Sequence, residues 1–304
     1  MSPPRRILAA RGGAMGDFIV TLPCLAALRR AFPEAVLCLL AHPGHAALAA
    51  ADGLCDGSRS LESAGLAPFF TPDGQPDEDW RQWMGSFDLV VSWLADGDGI
   101  FQRNVMQAGA RRFCQGPWKF ENDEPVAQQL AAALTPLGIA LDAPFHTIRF
   151  VRRETQDQLA VHPGSGSVRK NWPVRHWQTL LTLWHRCYPS TRIIVITGEA
   201  ETGEALDLAE ALKGNGIDCM HSHGEPLTRL CSLLAGCRYY LGHDTGISHL
   251  AAACGVTSRL IFGPASPPIW VPPAPQVKVY WTDVISSLTP EAFFAWLKET
   301  GATP

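Results

Sequence analysis

The sequence predicts an α/β protein made of two doubly wound parallel-sheet domains. Three observations carry this. Short apolar runs alternate with amphipathic helical stretches in both halves, as buried parallel strands alternate with their crossover helices. Loops of glycine and small polar residues follow several of these runs at their carboxyl ends, where such sheets bind ligands. The length, 304 residues, exceeds one ordinary core and suits two domains of about 150 residues each.

The first half opens with Arg6-Ile7-Leu8-Ala9-Ala10, a short buried strand. Gly12-Gly13-Ala14-Met15-Gly16-Asp17 is a glycine-rich turn. A helix is expected from Phe18 to Phe32, with apolar residues at 18, 19, 22, 25, 26 and 28 and basic residues at its end. Ala35 to Leu40 is a second buried strand, so the chain begins with one parallel strand–helix–strand unit. Residues 71–79 are polar and contain proline, and read as a loop. Phe87 to Trp93 is a later strand, ending in Asp96-Gly97-Asp98-Gly99.

The second half begins after Arg152, giving expected domains of 1–152 and 153–304. Leu159 to Pro163 is a strand running into Gly164-Ser165-Gly166-Ser167. Residues 174–187 form a helix, and Arg192 to Thr197 an unbroken buried strand. Glu204 to Lys213 is helical and stops at Gly214-Asn215-Gly216. Leu227 to Ala235 is helical, Tyr239 to Gly242 a strand, Ser248 to Cys254 a helix and Arg259 to Pro264 a strand. Thr289 to Thr300 closes the chain as a helix with Pro290 in its first turn.

Composition narrows the function. Hydrophobic residues at 46% and charged residues at 18% describe a soluble globular chain. The net charge is -4, and neither half has a basic excess, which argues against nucleic-acid binding. The apolar run Ile7–Ala10 is too short for a signal peptide, and no stretch approaches the roughly 20 apolar residues of a membrane span. The expected location is therefore cytoplasmic. Nine scattered cysteines without a C-x-x-C pair suggest buried free thiols in a reducing compartment, not disulfides or zinc. No metal-ligand cluster stands out, and no cofactor is expected.

Three segments can carry chemistry. Gly242-His243-Asp244-Thr245-Gly246-Ile247-Ser248-His249 ends a strand, turns on small residues and starts an alanine-rich helix. Free N–H groups at such a start attract a phosphate. Taken singly, Asp244 is equally a helix cap and His249 a buried structural histidine. His162-Pro163-Gly164-Ser165-Gly166-Ser167 leads to Lys170, which could neutralise a departing diphosphate or lie solvated on a loop. The third segment, Gly12 to Asp17, is not G-x-G-x-x-G and gives poor support for a dinucleotide fold. Asp17, at a strand–helix junction, suits a general base on a sugar hydroxyl, an N-cap, or both.

Ala14-Met15-Gly16-Asp17 followed by Thr21-Leu22-Pro23 resembles the opening motif of glycosyltransferase family 9, the heptosyltransferases. Lys170-x-Trp172-Pro173 and Asp244-Thr245-Gly246-x-x-His249-Leu250-x-Ala252-Ala253 resemble its two donor-site motifs, and Gly263-Pro264 its later Gly-Pro turn. The motifs stand in family order over roughly residues 6 to 270. The resemblance implies a GT-B fold of two Rossmann-like domains, the first binding an acceptor and the second a nucleotide sugar. It implies inverting transfer of heptose from ADP-heptose to a lipopolysaccharide core sugar or related glycan, with the nucleotide sugar as substrate. Asp17 would be the base and Lys170 the group stabilising the leaving phosphate. Ser165, Gly166 and Ser167, with Asp244, Thr245, Gly246 and His249, would hold the diphosphate, and Glu201, or Glu199, the ribose. Gly13 and Met15 would flank the acceptor. Asp96 and Asp98 could contact acceptor hydroxyls, turn their loop or hold a cation. The implied acceptor would bring the enzyme to the cytoplasmic face of the inner membrane as a peripheral partner. A family member that binds nucleotide or glycan without catalysis is the alternative.

Overall fold

The structure, a computed structural model, describes residues 3–121, 124–152, 154–198 and 203–304. The chain divides into two compact units, Met1–His146 and Thr147–Pro304. The division falls just ahead of the expected 152/153 boundary, for a local reason. His146 Nε2 meets the Asp52 carboxylate at 2.6 Å, both side chains buried, and ends the first unit. Two residues on, Ile148 N–H donates to the Ala253 carbonyl at 2.9 Å and belongs to the second.

The first unit runs β1 (Arg6–Ala10), α1 (Met15–Ile19), α2 (Leu22–Ala31), β2 (Val36–Ala41), α3 (Pro43–Ala51), β3 (Gly57–Ser60), α4 (Glu78–Gly85), β4 (Leu89–Ser92), α5 (Ile100–Gln107), β5 (Phe113–Gln115) and α6 (Val126–Leu130). Its sheet order is β3-β2-β1-β4-β5, and every pairing is parallel. The order reverses at β1, so the crevice between the carboxyl ends of β1 and β4 is its natural ligand position. Leu8, Ala10, Leu40, Phe69, Val90, Phe101 and Val105 form the core on one sheet face.

The second unit runs β6 (Gln156–Val161), α7 (Val174–Cys187), β7 (Arg192–Thr197), α8 (Glu204–Gly214), β8 (Cys219–His223), α9 (Leu227–Ala235), β9 (Cys237–His243), α10 (Gly246–Ala253), β10 (Thr257–Phe262), β11 (Val277–Trp281) and α11 (Pro290–Glu299). The sheet order is β11-β10-β9-β6-β7-β8, again parallel throughout. Its reversal lies between β6 and β9. The core is rich in tryptophan. Trp177, Leu180, Leu181 and Trp184 make the buried stripe of α7, at the three- and four-residue spacing of one helix face. Trp172 and Phe293 join them, and full burial of each such side chain contributes about 1.5–3 kcal/mol. The terminal helix is as expected, with the Thr289 hydroxyl accepting from Ala292 N–H at 3.2 Å.

The helix expected over Phe18 to Phe32 is instead two, and the first begins at Met15. Pro23 lies in the first turn of α2, where its missing N–H costs nothing, and a proline there starts a new helix more readily than it continues an old one. The nine cysteines are free, and all but Cys187 are buried. Among the described residues no helix is long and apolar enough to cross a membrane.

Candidate functional site

In the second unit the loop after β6 and the loop after β9 leave neighbouring strands at the sheet's reversal point. That topology brings Lys170 and Asp244 together from 74 residues apart: Lys170 Nζ donates to Asp244 Oδ2 at 2.6 Å. The Asp244 side chain is 8% exposed and that of Lys170 27%. Lys170 ends a 3-10 turn over Val168–Lys170. Trp172 anchors the turn from behind, fully buried, with its indole N–H donating to the Leu288 carbonyl at 2.9 Å.

Thr245, not Asp244, caps α10: its hydroxyl accepts from Ser248 N–H at 3.3 Å. The helix therefore starts at Gly246, two residues before the expected Ser248, and Asp244 is left to hold the lysine. The first N–H groups of a helix have no intrahelical acceptor; here they belong to Gly246 and Ile247. Ser248 Oγ donates to the His243 carbonyl at 2.5 Å and lies 3.0 Å from the Tyr240 hydroxyl, fixing the helix start to β9. His249 is buried on α10, edge-on to Trp270 with ring centroids 6.3 Å apart.

Ser165 organises its own loop. Its hydroxyl lies 2.5 Å from Asn171 Oδ1 and 2.8 Å from the Ser167 carbonyl, and it accepts from Ser167 N–H at 3.2 Å. Gly166 is exposed, with open space where a Cβ would stand, and Ser167 is half-buried beside it. Glu201 and Glu199 lie outside the described residues.

In the first unit Asp17 sits third in α1, so it is not the N-cap. Its Oδ2 reaches back to accept from Ala14 N–H at 2.9 Å, and its Oδ1 pairs with Arg11 Nη2 at 3.2 Å. Arg11 is buried just past β1. Its Nε donates to the Asp17 carbonyl at 3.2 Å and its Nη1 to the Trp93 carbonyl at 3.4 Å. Burial pulls its proton affinity down, and the Asp17 charge opposes that. The carboxylate is thus aimed by one backbone N–H and one arginine, and 29% of its side chain stays exposed. Gly13 has φ +89°, and a Cβ there would meet Asp17 Oδ2 at 2.7 Å, so the close approach of loop and carboxylate needs glycine. Met15 opens α1, half-buried.

Asp96 and Asp98 follow β4 and serve the start of α5. Asp96 accepts from Phe101 N–H at 2.9 Å and Gln102 N–H at 2.8 Å, and Asp98 from Ile100 N–H at 3.1 Å. Of their three expected roles, turning the loop is the one these bonds describe. Arg11 is not among the site residues expected from the sequence, although a charge directly after the apolar run 7–10 is a usable signal. His243 stands inside the segment the sequence singles out, but its bonds to Trp172 and Gly164 join positions 71 and 79 residues away, which no local pattern encodes.

The family described as Glycosyltransferase family 9 (heptosyltransferase) matches residues 120–290. The chain belongs to glycosyltransferase family 9. Lipopolysaccharide heptosyltransferase 1 of Pseudomonas aeruginosa is 32% identical over 105 residues, which cover 34% of this chain and 28% of that relative's length. Among solved structures, the family 9 glycosyl transferase of Veillonella parvula DSM 2008 superposes with a TM-score of 0.78 at 15% identity, over 97% of both chains. E. coli heptosyltransferase WaaC with ADP gives 0.75 at 18%, over 97% of this chain and 99% of that one. E. coli ADP-heptose lps heptosyltransferase II gives 0.73 at 15%, over 97% and 98%. These likenesses establish the fold as GT-B, and family membership makes the protein a glycosyltransferase.

Proposed function

We propose that this family 9 glycosyltransferase moves heptose from ADP-heptose, with inversion, to a lipopolysaccharide core sugar or related glycan. The observation that carries the reading is the meeting of Lys170, Asp244 and the start of α10 at the reversal point of the second sheet. A cation beside free helix N–H groups is a grip for a diphosphate. The relatives supply the rest: one solved structure is of E. coli WaaC with ADP and another with ADP-2-deoxy-2-fluoro heptose.

In this reading Lys170 leaves Asp244 for the phosphate as charge grows on the departing ADP. Gly246 and Ile247 N–H groups, Thr245 and His249 hold the diphosphate, with the Ser165–Ser167 loop beside them. The acceptor oxygen bonds to the anomeric carbon while the bond from that carbon to the phosphate oxygen breaks. Asp17 takes the hydroxyl proton late in that step, Arg11 keeping its carboxylate aimed. Gly13 and Met15 flank the acceptor, and Glu201 contacts the ribose. Peripheral contact with the inner membrane from the cytoplasmic side follows from such an acceptor.

The test is incubation with ADP-heptose and a panel of truncated lipopolysaccharide acceptors. ADP release coupled to acceptor glycosylation, with the product's anomeric configuration inverted by NMR, is the expected result. Nucleotide binding without transfer by either wild type or Asp17→Ala would make the protein a binding module instead.

A further inference from the structure

His243 ends β9 directly before Asp244, and its ring is wholly buried. Trp172 N–H can only donate, so His243 Nε2, 2.9 Å away, is the acceptor. The ring proton therefore sits on Nδ1, which makes a long hydrogen bond of 3.4 Å to the Gly164 carbonyl. Gly164 and Trp172 stand at the two ends of the loop that carries Ser165, Gly166, Ser167 and Lys170. One imidazole thus ties both ends of that loop to the strand that continues into Asp244 and α10. Trp177 packs edge-on against the ring with centroids 5.3 Å apart, and Trp172 against Trp177 at 5.0 Å. Burial, with the neighbouring His162, holds the ring's pKa down to about 3. The neutral form, with one donor and one acceptor, is the form this geometry requires.

We infer that His243 is a positioning residue for donor binding: its two hydrogen bonds set the Gly164–Lys170 loop against the Asp244–Gly246 turn so that both face one diphosphate. The inference rests on the donor-site assignment proposed above. Lys170 reaches Asp244 from only two residues before the tethered Trp172 N–H, so slack at Trp172 passes straight to the lysine. His243 touches no substrate in this account; it acts through the two loops.

The test compares full-length wild type, His243→Leu and His243→Gln. Leucine fills much of the space and offers no acceptor, whereas glutamine places an amide oxygen near the position of Nε2. ADP binding is measured by titration calorimetry, and KM separately for ADP-heptose and for the acceptor. His243→Leu is expected to weaken ADP and raise the ADP-heptose KM by about tenfold or more, the scale on which a lost buried hydrogen bond shows in an equilibrium constant. The acceptor KM stays unchanged, and glutamine recovers most of the loss. A purely structural role would lower the melting temperature of both variants and leave the donor-against-acceptor split untouched. If leucine prevents folding, His243→Thr, whose hydroxyl is too short to reach Trp172, is expected to show the same split. ADP binding by the leucine or threonine variant within about twofold of wild type, or glutamine no better than leucine, would overturn the inference. Absence of ADP binding by wild type itself would remove the donor-site assignment, and the inference with it.

Discussion

Lys170→Met removes an ammonium and keeps most of its hydrocarbon stem, so it isolates the charge. Asp244 then loses a partner 2.6 Å away while its side chain remains 8% exposed. At an effective dielectric constant of ~20, two unit charges at that distance attract by about 6 kcal/mol. Desolvation and lost side-chain freedom offset most of that attraction. Breaking one partner of a fully buried pair costs about 3–5 kcal/mol, whereas an exposed pair contributes about 0–1 kcal/mol. Lys170, at 27% exposure, lies between, so the expected loss is about 2 kcal/mol. For a unit of this size that lowers the melting transition by about 4–8 °C. Asp244→Asn should cost a similar amount. The double variant strands no charge and should recover about 1 kcal/mol or more of the summed losses. Scanning calorimetry of all four proteins at low salt measures the cycle. Single variants within about 0.5 kcal/mol of wild type, with an additive double, would refute the coupling.

Asp17→Asn keeps an oxygen for the Ala14 N–H and loses the base. Transfer should fall by about 100-fold or more with ADP affinity nearly unchanged, checked by steady-state kinetics beside calorimetry; normal turnover would reject the role. The folded pKa of His243, about 3, lies below the ordinary value near 6.5, so the unfolded chain binds the proton more readily. Stability from this residue is therefore complete above the unfolded pKa and is lost as pH falls towards 3. Between pH 7 and 4.5 the loss is roughly 2–3 kcal/mol, and urea unfolding of His243→Gln should lack that share. A Cβ on Gly242 would stand 2.5 Å from the Tyr240 hydroxyl, which meets Ser248 at the start of α10. Gly242→Ala should cost about 1–3 kcal/mol and weaken ADP, read by thermal unfolding and titration; an unchanged melting temperature would contradict the packing.

The sequence displayed the inner strands and hid the outer ones. Residues 193–196 of β7 are covered on both faces, so they form an unbroken run of branched apolar residues. The strands beyond those expected, Gly57–Ser60, Phe113–Gln115, Cys219–His223 and Val277–Trp281, are the four sheet edges. An edge strand has one neighbour and solvent beside it, so its residues need not be apolar: Ser58 and Arg59 in β3, His221 and His223 in β8. Their pairing is set by the strand next to them, which no local pattern encodes. The site divides the same way. The small-residue loops and their candidate residues were legible because each loop follows a visible strand. The Lys170–Asp244 contact was not, since it exists only because β6 and β9 lie side by side. Asp17 was legible as an acid at a junction, but its place inside α1 was not, because the helix begins at Met15, ahead of the periodic apolar run that starts at Phe18.

The central claim is that the second unit grips a nucleotide diphosphate through Lys170 and the start of α10. Thermal unfolding with ADP-, UDP-, GDP- and CDP-sugars, on wild type and Lys170→Ala, tests it most directly. The account expects ADP-heptose to stabilise wild type above the rest, by about 2.7 kcal/mol at 100 times its dissociation constant, and the lysine variant to need far more ligand for the same shift. No stabilisation by any of the four, or equal stabilisation of both proteins, would contradict it.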